Sequence, residues 1–322
     1  MTAAIQTPDW APGTGFPSLT ISPLTHLGLI RISGEQSKQF IQGQVTSDVY
    51  NQQANEWLWG AHCDPKGKML ASFRTLFMEQ DLLMLMPRSA LGADLPQLQK
   101  YAVFNKVELT DASESLAIVG IAGEQAAAFI AQHLGETTDA VTQHGDKLII
   151  KDGERFMVIL PAAQMNELLA LNPEAVYDQS AWQQLEILAG YPNLSALHAN
   201  QYVPQMCNLQ GVNGISFNKG CYMGQETVAR MKYRGGNKRA LYIVCGEVNE
   251  LVTAESQLEI QLEDGSFRRG GNVIEAVQTG NQVLLSAVLP NDTELDAKLR
   301  LSGDDSSELR LLPLPYSLED EV

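Results

Sequence analysis

Two copies of one short pattern limit the folds open to this chain. Ile32-Ser33-Gly34-Glu35-Gln36, followed by Phe40-Ile41, recurs as Ile121-Ala122-Gly123-Glu124-Gln125, followed by Phe129-Ile130. Each copy has an apolar strand before the glycine and an amphipathic helix after it. Two matching strand–turn–helix units point to a duplicated α+β module. In the first copy Ser33 is expected to cap the helix, with Gln36 completing a capping box.

Between the copies, Trp57 to His62 and Met69 to Met78 alternate as strands around the turn Asp64-Pro65-Lys66-Gly67. Asp81 to Met86 is a further strand, and a helix runs through Leu91 to Tyr101. After the second copy, Leu148 to Ile150 and Arg155 to Leu160 form a hairpin around Asp152-Gly153. Helices follow at Ala162 to Leu171 and Ser180 to Ala189, the second ended by Gly190-Tyr191-Pro192. From Arg239 the texture changes to short strands, Leu241 to Glu247, Gln257 to Leu262, Phe267 to Ala276 and Gln282 to Val288. These predict a small β-barrel. The division expected is residues 1–238 as two α+β subdomains and residues 239–322 as the barrel, with an acidic, frayed tail from Glu319.

Length fits about two domains, and 44% apolar residues supply ordinary cores. Cys63, Cys207, Cys221 and Cys245 are scattered with no CxxC pair, which argues against a disulfide scaffold and a closed zinc site; no metal ligand set is read. No basic start with an apolar run opens the chain, and no apolar run is long enough to span a bilayer, so a cytoplasmic protein is expected. The net charge of -16 should repel nucleic acid and anionic membranes. Against this, Lys219, Arg230, Lys232, Arg234, Lys238 and Arg239 gather in one stretch opposed only by Glu226, a local +5 in a chain that is -21 elsewhere. Such an island suits an anionic ligand.

The richest chemistry lies in Lys219-Gly220-Cys221-Tyr222-Met223-Gly224-Gln225-Glu226. Glycines free the backbone on both sides of the thiol. A helix is expected to follow, with Glu226 in its first turn and Arg230 one turn on, the favourable order for a charge pair. A cysteine beside Lys219 and before a helix start sits where a thiolate is stabilised, so Cys221 is expected to be accessible and acidic. A small buried hydrophobe on a tight turn is the plainer alternative.

With Arg230 this stretch makes the pattern K-G-C-Y-x-G-Q-E-x3-R. Supporting matches are Gln42-Gly43-Gln44-Val45-Thr46-Ser47-Asp48, Lys100-Tyr101-Ala102-Val103-Phe104 and Pro313-Leu314-Pro315-Tyr316-Ser317-Leu318. On these the chain resembles, over essentially its whole length, the folate-binding family related to the glycine-cleavage T-protein, the aminomethyltransferase. The resemblance implies an α+β fold of two related ferredoxin-like modules and a C-terminal barrel, ringed around a channel that holds tetrahydrofolate. It implies a role in maintaining iron–sulfur proteins, seen in bacteria through an iron–sulfur enzyme that thiomethylates tRNA. It marks Cys221 as the functional cysteine with Lys219 in support. Tyr222, Gln225, Glu226 and Arg230 are then placed near the ligand, and Trp182 as one wall of the folate site.

Departures narrow the function. Aminomethyltransferases carry an acid where this chain has Ala71-Ser72, so that reaction is not expected. Relatives carry tryptophan at the position of Leu27 and glutamate at that of Leu188; Glu186 is the nearest substitute carboxylate. Leu27 then gives only apolar contact. The first reading is therefore a folate-binding accessory factor for iron–sulfur client enzymes, its basic island meeting polyglutamylated tetrahydrofolate. A folate-dependent one-carbon transferase and a module contacting tRNA directly are the alternatives.

Overall fold

The computed structural model describes residues 3–318, so the acidic tail from Glu319 lies outside the described residues. In the first half the elements run β1 (Thr20–Pro23), β2 (Leu27–Ser33), α1 (Ser37–Gln42), β3 (Leu58–Cys63), β4 (Met69–Met78), β5 (Asp81–Pro87), α2 (Arg88–Ala102) and β6 (Glu108–Asp111). Next come β7 (Leu116–Ala122), α3 (Ala126–His133), β8 (Val141–His144), β9 (Lys147–Asp152), β10 (Arg155–Pro161), α4 (Met165–Leu169) and α5 (Ser180–Leu188). A segment with short 3-10 turns then leads to α6 (Gln225–Arg234). The remainder is strand only: β11 (Arg239–Glu247), β12 (Gln257–Gln261), β13 (Phe267–Thr279), β14 (Gln282–Pro290), β15 (Leu299–Leu301) and β16 (Glu308–Leu312).

The duplicated pattern becomes two matching five-stranded sheets, β3-β4-β5-β2-β6 and β8-β9-β10-β7-β1. In both, the strand before the repeated glycine pairs antiparallel with an edge strand, β2 with β6 and β7 with β1. The edges are exchanged: β1 precedes the first module in sequence but completes the second, and β6 precedes β7 but completes the first. The repeated glycines do the same work. Gly34 (φ +107°) and Gly123 (φ +104°) hold left-handed turns where a Cβ would lie 2.4 Å from a backbone oxygen, that of Lys106 and of Ser18 respectively. In each copy the glutamine two residues on, Gln36 or Gln125, donates its backbone N–H to that same oxygen.

This turn overturns the expected capping box. Ser33 is still in β2, paired with Glu108, and α1 begins only at Ser37. Gln36 Oε1 accepts instead from the backbone N–H of Lys106 at 2.7 Å. The long-range bond to the β6 edge wins over the local cap.

Both faces of each sheet are covered, which is why the strands read as nearly continuous apolar runs. In β2 and β5, Ile30, Ile32, Leu82, Met84 and Met86 face α1 and α2, while Leu29, Leu83 and Leu85 face the other sheet. In β9 and β10, Ile149, Phe156, Val158 and Leu160 pack toward α3 and α4, while Leu148, Ile150, Met157 and Ile159 meet the first sheet. The layers are therefore helix, sheet, sheet, helix. The last six strands close into a barrel in the order β11-β14-β13-β12-β15-β16. β15 and β16 are two short strands that the sequence pattern does not reveal. A further core joins β3, the segment before α6 and the barrel through Trp59, Leu194, Tyr202, Leu209, Leu241 and Val288. After β16 the chain returns to the modules, where Tyr316 donates its hydroxyl to the carbonyl of Gly190 at 2.7 Å. The architecture is the expected α+β one, two related modules and a terminal barrel. Among the described residues no helix is long and apolar enough to cross a membrane.

Gly34→Ala and Gly123→Ala should each cost more than about 1 kcal/mol, because the left-handed turn and the backbone oxygen both resist a Cβ. Gly92→Ala, inside α2 with no heavy atom within 4 Å of the new methyl, should instead stabilise by about 0.5–1 kcal/mol. Urea unfolding of the three variants checks both signs.

Candidate functional site

The cysteine-bearing stretch is clamped between two turns of the first module. Lys219 Nζ donates to the carbonyls of Gln42, Val45 and Ser47 at 2.7, 2.8 and 2.7 Å. Met223 N–H donates to Gly43 O, Ser216 N–H to Thr46 O, and Thr46 Oγ1 to Gly214 O. Gly224, at φ +78°, lies so close to the other turn that a Cβ would fall 2.6 Å from Asp64 O and 2.7 Å from Gly67 Cα. The motif at 42–48 and the cysteine motif thus form one assembly, although they stand far apart in sequence.

Within it, Cys221 is exposed and Tyr222 is buried, with the Lys219 ammonium 5.1 Å from the tyrosine ring centroid. The expectation that Lys219 supports the thiolate needs correction. All three of its N–H donors are held by backbone carbonyls, so it fixes the loop. Burial lowers its pKa to about 8, with the Asp48 carboxylate opposing that fall. Burial also pushes the Cys63 and Cys207 thiols up, which leaves them inert. Gln225 opens α6 and is half-buried. Glu226 accepts from Arg230 at 2.9 Å, and both side chains face solvent. The basic island is not a single surface. Lys219 is caged, Arg230 is paired, Lys232 sits 4.2 Å from the centre of the Phe217 ring, and Arg239 donates to Gly270 O. Arg234 and Lys238 carry no ion pair among the described residues.

Trp182 and Leu27 belong to a second locus, where β4, α5 and the barrel meet. Among the described residues no hydrogen bond, ion pair or ring contact links it to the cysteine stretch. Arg74 of β4, 1% exposed, pairs with Glu186 of α5, 2% exposed. Its guanidinium lies 4.4 Å from the Trp59 ring centroid, 5.0 Å from Tyr191 and 5.7 Å from Trp57. Arg155 reaches the same carboxylate at 3.3 Å, pairs with Asp152 at 2.7 Å, and sits 4.9 Å from the centre of the Trp182 ring. Asn193 Nδ2 donates to Glu186 and to Glu275 of β13. Burial alone would raise Glu186, but Arg74 and Arg155 outweigh it and hold the carboxyl below its ordinary range. Glu275 has the opposite fate: burial and the neighbouring Glu186 charge push it up to about 8. One carboxylate is thus ionised and its neighbour neutral at pH 7.

Two cavities border this cluster. One of about 270 Å³ is lined by His26, Leu27, Asn193, Ser195, Ile274 and Glu275. The other, a cleft of about 530 Å³, is lined by Asp152, Arg155, Leu185, Leu188, Ala189 and Tyr191. Leu27 is therefore at a cavity wall. Trp182 is not: it is 1% exposed, lies against the backbone of Gly120 and is covered by Arg155, so it is a core residue with no open face. Ala71 lies in the first module's core, and the Ser72 hydroxyl is engaged with Pro192 O and Leu194 N–H. No carboxylate stands at either position. Sequence reasoning missed Arg74, Arg155, Tyr191, Asn193 and Glu275. Arg74 did leave a signal, a lone charge inside the apolar run Met69 to Met78.

A family model described as "YgfZ, beta-barrel domain" matches residues 237–305. The "tRNA-modifying protein YgfZ" of Vibrio vulnificus is 39% identical over 95% of this chain and 94% of its own length. The chain belongs to the YgfZ family. The protein of the same description from Serratia proteamaculans is 38% identical over 94% of each chain. Among solved structures, the glycine cleavage system aminomethyltransferase T from Bartonella henselae superposes with a TM-score of 0.65 at 16% identity, covering 92% of this chain and 86% of its own. That likeness shows that this YgfZ-family chain has the aminomethyltransferase fold.

Glu186→Gln in this YgfZ-family protein leaves Arg74 buried without its charge partner and should cost about 3–5 kcal/mol. Arg230→Ala, which breaks a solvent-exposed pair, should cost under about 1 kcal/mol. Chemical denaturation of both checks the contrast.

Glu275 also sets a pH dependence. Its folded pKa of about 8 lies above the ordinary 4.5, so the folded state holds a proton there that the unfolded state has lost. Its contribution to stability is whole below pH 4.5 and is lost as pH rises toward 8. Between those limits, the stability of the wild type relative to Glu275→Gln should fall with pH, as read by denaturation at several pH values.

Proposed function

We propose that this protein is a folate-binding accessory factor in tRNA modification, serving iron–sulfur client enzymes in the cytoplasm. The observation that carries the reading is Glu186: a carboxylate held below its ordinary pKa range and buried behind two cavities, one lined by its partner Asn193 and the other by its partner Arg155. A pterin presents a row of N–H donors on one edge, and a fixed carboxylate is the group that accepts them. Glu186 fills that role in place of the residue at Leu188. Leu27 and Leu188 supply apolar walls, and Tyr191 supplies an aromatic face in the larger cleft. Trp182 stays in the core behind Arg155 and takes no part in this reading. The relatives named "tRNA-modifying protein" support the tRNA side of the reading.

In this reading residues 1–238 hold tetrahydrofolate, with or without its polyglutamate tail, and residues 239–322 close the site. Exposed Cys221 is the reactive group toward client proteins. Lys219 and Tyr222 position its loop, and Gln225, Glu226 and Arg230 present the helix that follows. Ala71 and Ser72 offer no carboxylate to assist amine departure, which disfavours one-carbon transfer.

Calorimetry with tetrahydrofolate should give saturable binding, weakened by about 1–3 kcal/mol in Tyr191→Ala if the ring stacks on the ligand. In cells lacking the gene, thiomethylated adenosine in tRNA should fall, and wild type but not Cys221→Ala should restore it. Absence of saturable heat removes the folate reading. Unchanged thiomethylation removes the client reading.

A further inference from the structure

A third cavity lies away from both loci, where the segment before α6 meets the barrel. It measures about 210 Å³, and its walls include Tyr202, Met206, Arg239, Arg269, Asn272 and Val288. No carboxylate lines it, in a chain whose net charge is -16. Neither guanidinium has an ion pair among the described residues. Arg239 spends Nη1 on Gly270 O at 2.8 Å and keeps its other donors free. Arg269 Nη2 donates to Asn272 Oδ1, whose amide in turn donates to the Tyr202 hydroxyl oxygen at 2.8 Å. That relay leaves the Tyr202 O–H itself without an acceptor. The ring is only 7% exposed, and burial raises its pKa against the pull of both arginines, so the phenol stays a donor.

Two guanidinium groups, each with donors to spare after one side-chain hydrogen bond, and one phenol O–H thus line a small space whose walls hold no carboxylate. An anion with several oxygens is what such a donor set lacks. The arginine fork matches a phosphate oxygen pair, and phosphate carries enough oxygens to engage all three groups.

We propose that Tyr202, Arg239 and Arg269 form an oxyanion site that takes a phosphate group. Arg268, Lys238 and Arg234 are exposed and close to these residues in sequence, but none of them lines the cavity. The site is separate from the Glu186 locus and does not depend on folate binding there.

The test follows the Gly271 and Asn272 backbone amides and the arginine Nε–H signals by NMR while inorganic phosphate is titrated at constant ionic strength. Saturable shifts are expected, absent when chloride replaces phosphate. Arg269→Ala removes a side chain at the surface, and Tyr202→Phe keeps the shape of the core. Each should weaken phosphate about tenfold, the equivalent of one lost charge-assisted hydrogen bond. Arg268→Ala should leave binding within about twofold, since an exposed charge outside the pocket acts only through screened potential. Competition by a short single-stranded RNA at lower concentration than AMP assigns the phosphate to a nucleic-acid backbone. Competition by AMP alone assigns it to a small phosphate ester; either result supports the site. Shifts that chloride reproduces, or that persist unchanged in both variants, overturn it. Saturable shifts with tri-γ-glutamate and none with phosphate also overturn it, in favour of a carboxylate site.

Discussion

The structure turns on one buried ion pair. Arg74 comes from the first sheet and Glu186 from the helix that follows the second module. Asn193 ties the carboxylate to Glu275 of the barrel. Three units that could each bury a core of their own are thereby held in one register. A buried pair of this kind adds little net stability, because desolvation offsets most of the attraction. Its effect is specificity, because any arrangement of the units that separates Arg74 from Glu186 strands a charge in the interior.

The same pair shapes the chemistry. Burial, with the Glu186 charge adding to it, pushes Glu275 up to about 8, while Arg74 and Arg155 hold Glu186 down, so two carboxyl groups linked by one asparagine are driven in opposite directions. Arg155 covers Trp182, which also packs on Gly120 within the core between the two sheets. The cleft is walled by Tyr191, Leu188 and Arg155, and the indole of Trp182 is not among its walls.

Much of the fold was legible because it rests on local signals. The glycine repeat announced two equal modules, and the loss of helical texture after Arg239 announced the barrel. Boundaries failed where a distant partner decided them, as when the Lys106 N–H drew Gln36 away from a cap. The site was legible in part. The motif around Cys221 showed itself through its unusual mixture of residue types. That Lys219 would be held by three carbonyls from 42–47 depends on a loop far away in sequence. Trp182 was misplaced for the same reason: nothing near it in sequence shows that Arg155 will cover it. Pairing across modules is invisible to periodicity.

The exchanged edge strands carry a further consequence, for synthesis on the ribosome. β1 leaves the exit tunnel early, yet its partner β7 ends only at Ala122. β2 waits in the same way for β6, which ends at Asp111. Neither sheet can be completed when its own central strands first emerge. Over that interval β1 and β2 are open edges with unpaired backbone groups, the kind of surface on which chains associate wrongly. The first sheet has all its strands once β6 has emerged, whereas the second must hold β1 in waiting until β7 to β10 follow. An early stop just after β6 would leave the first sheet with all five strands and the second with β1 alone, its partners β7 to β10 missing.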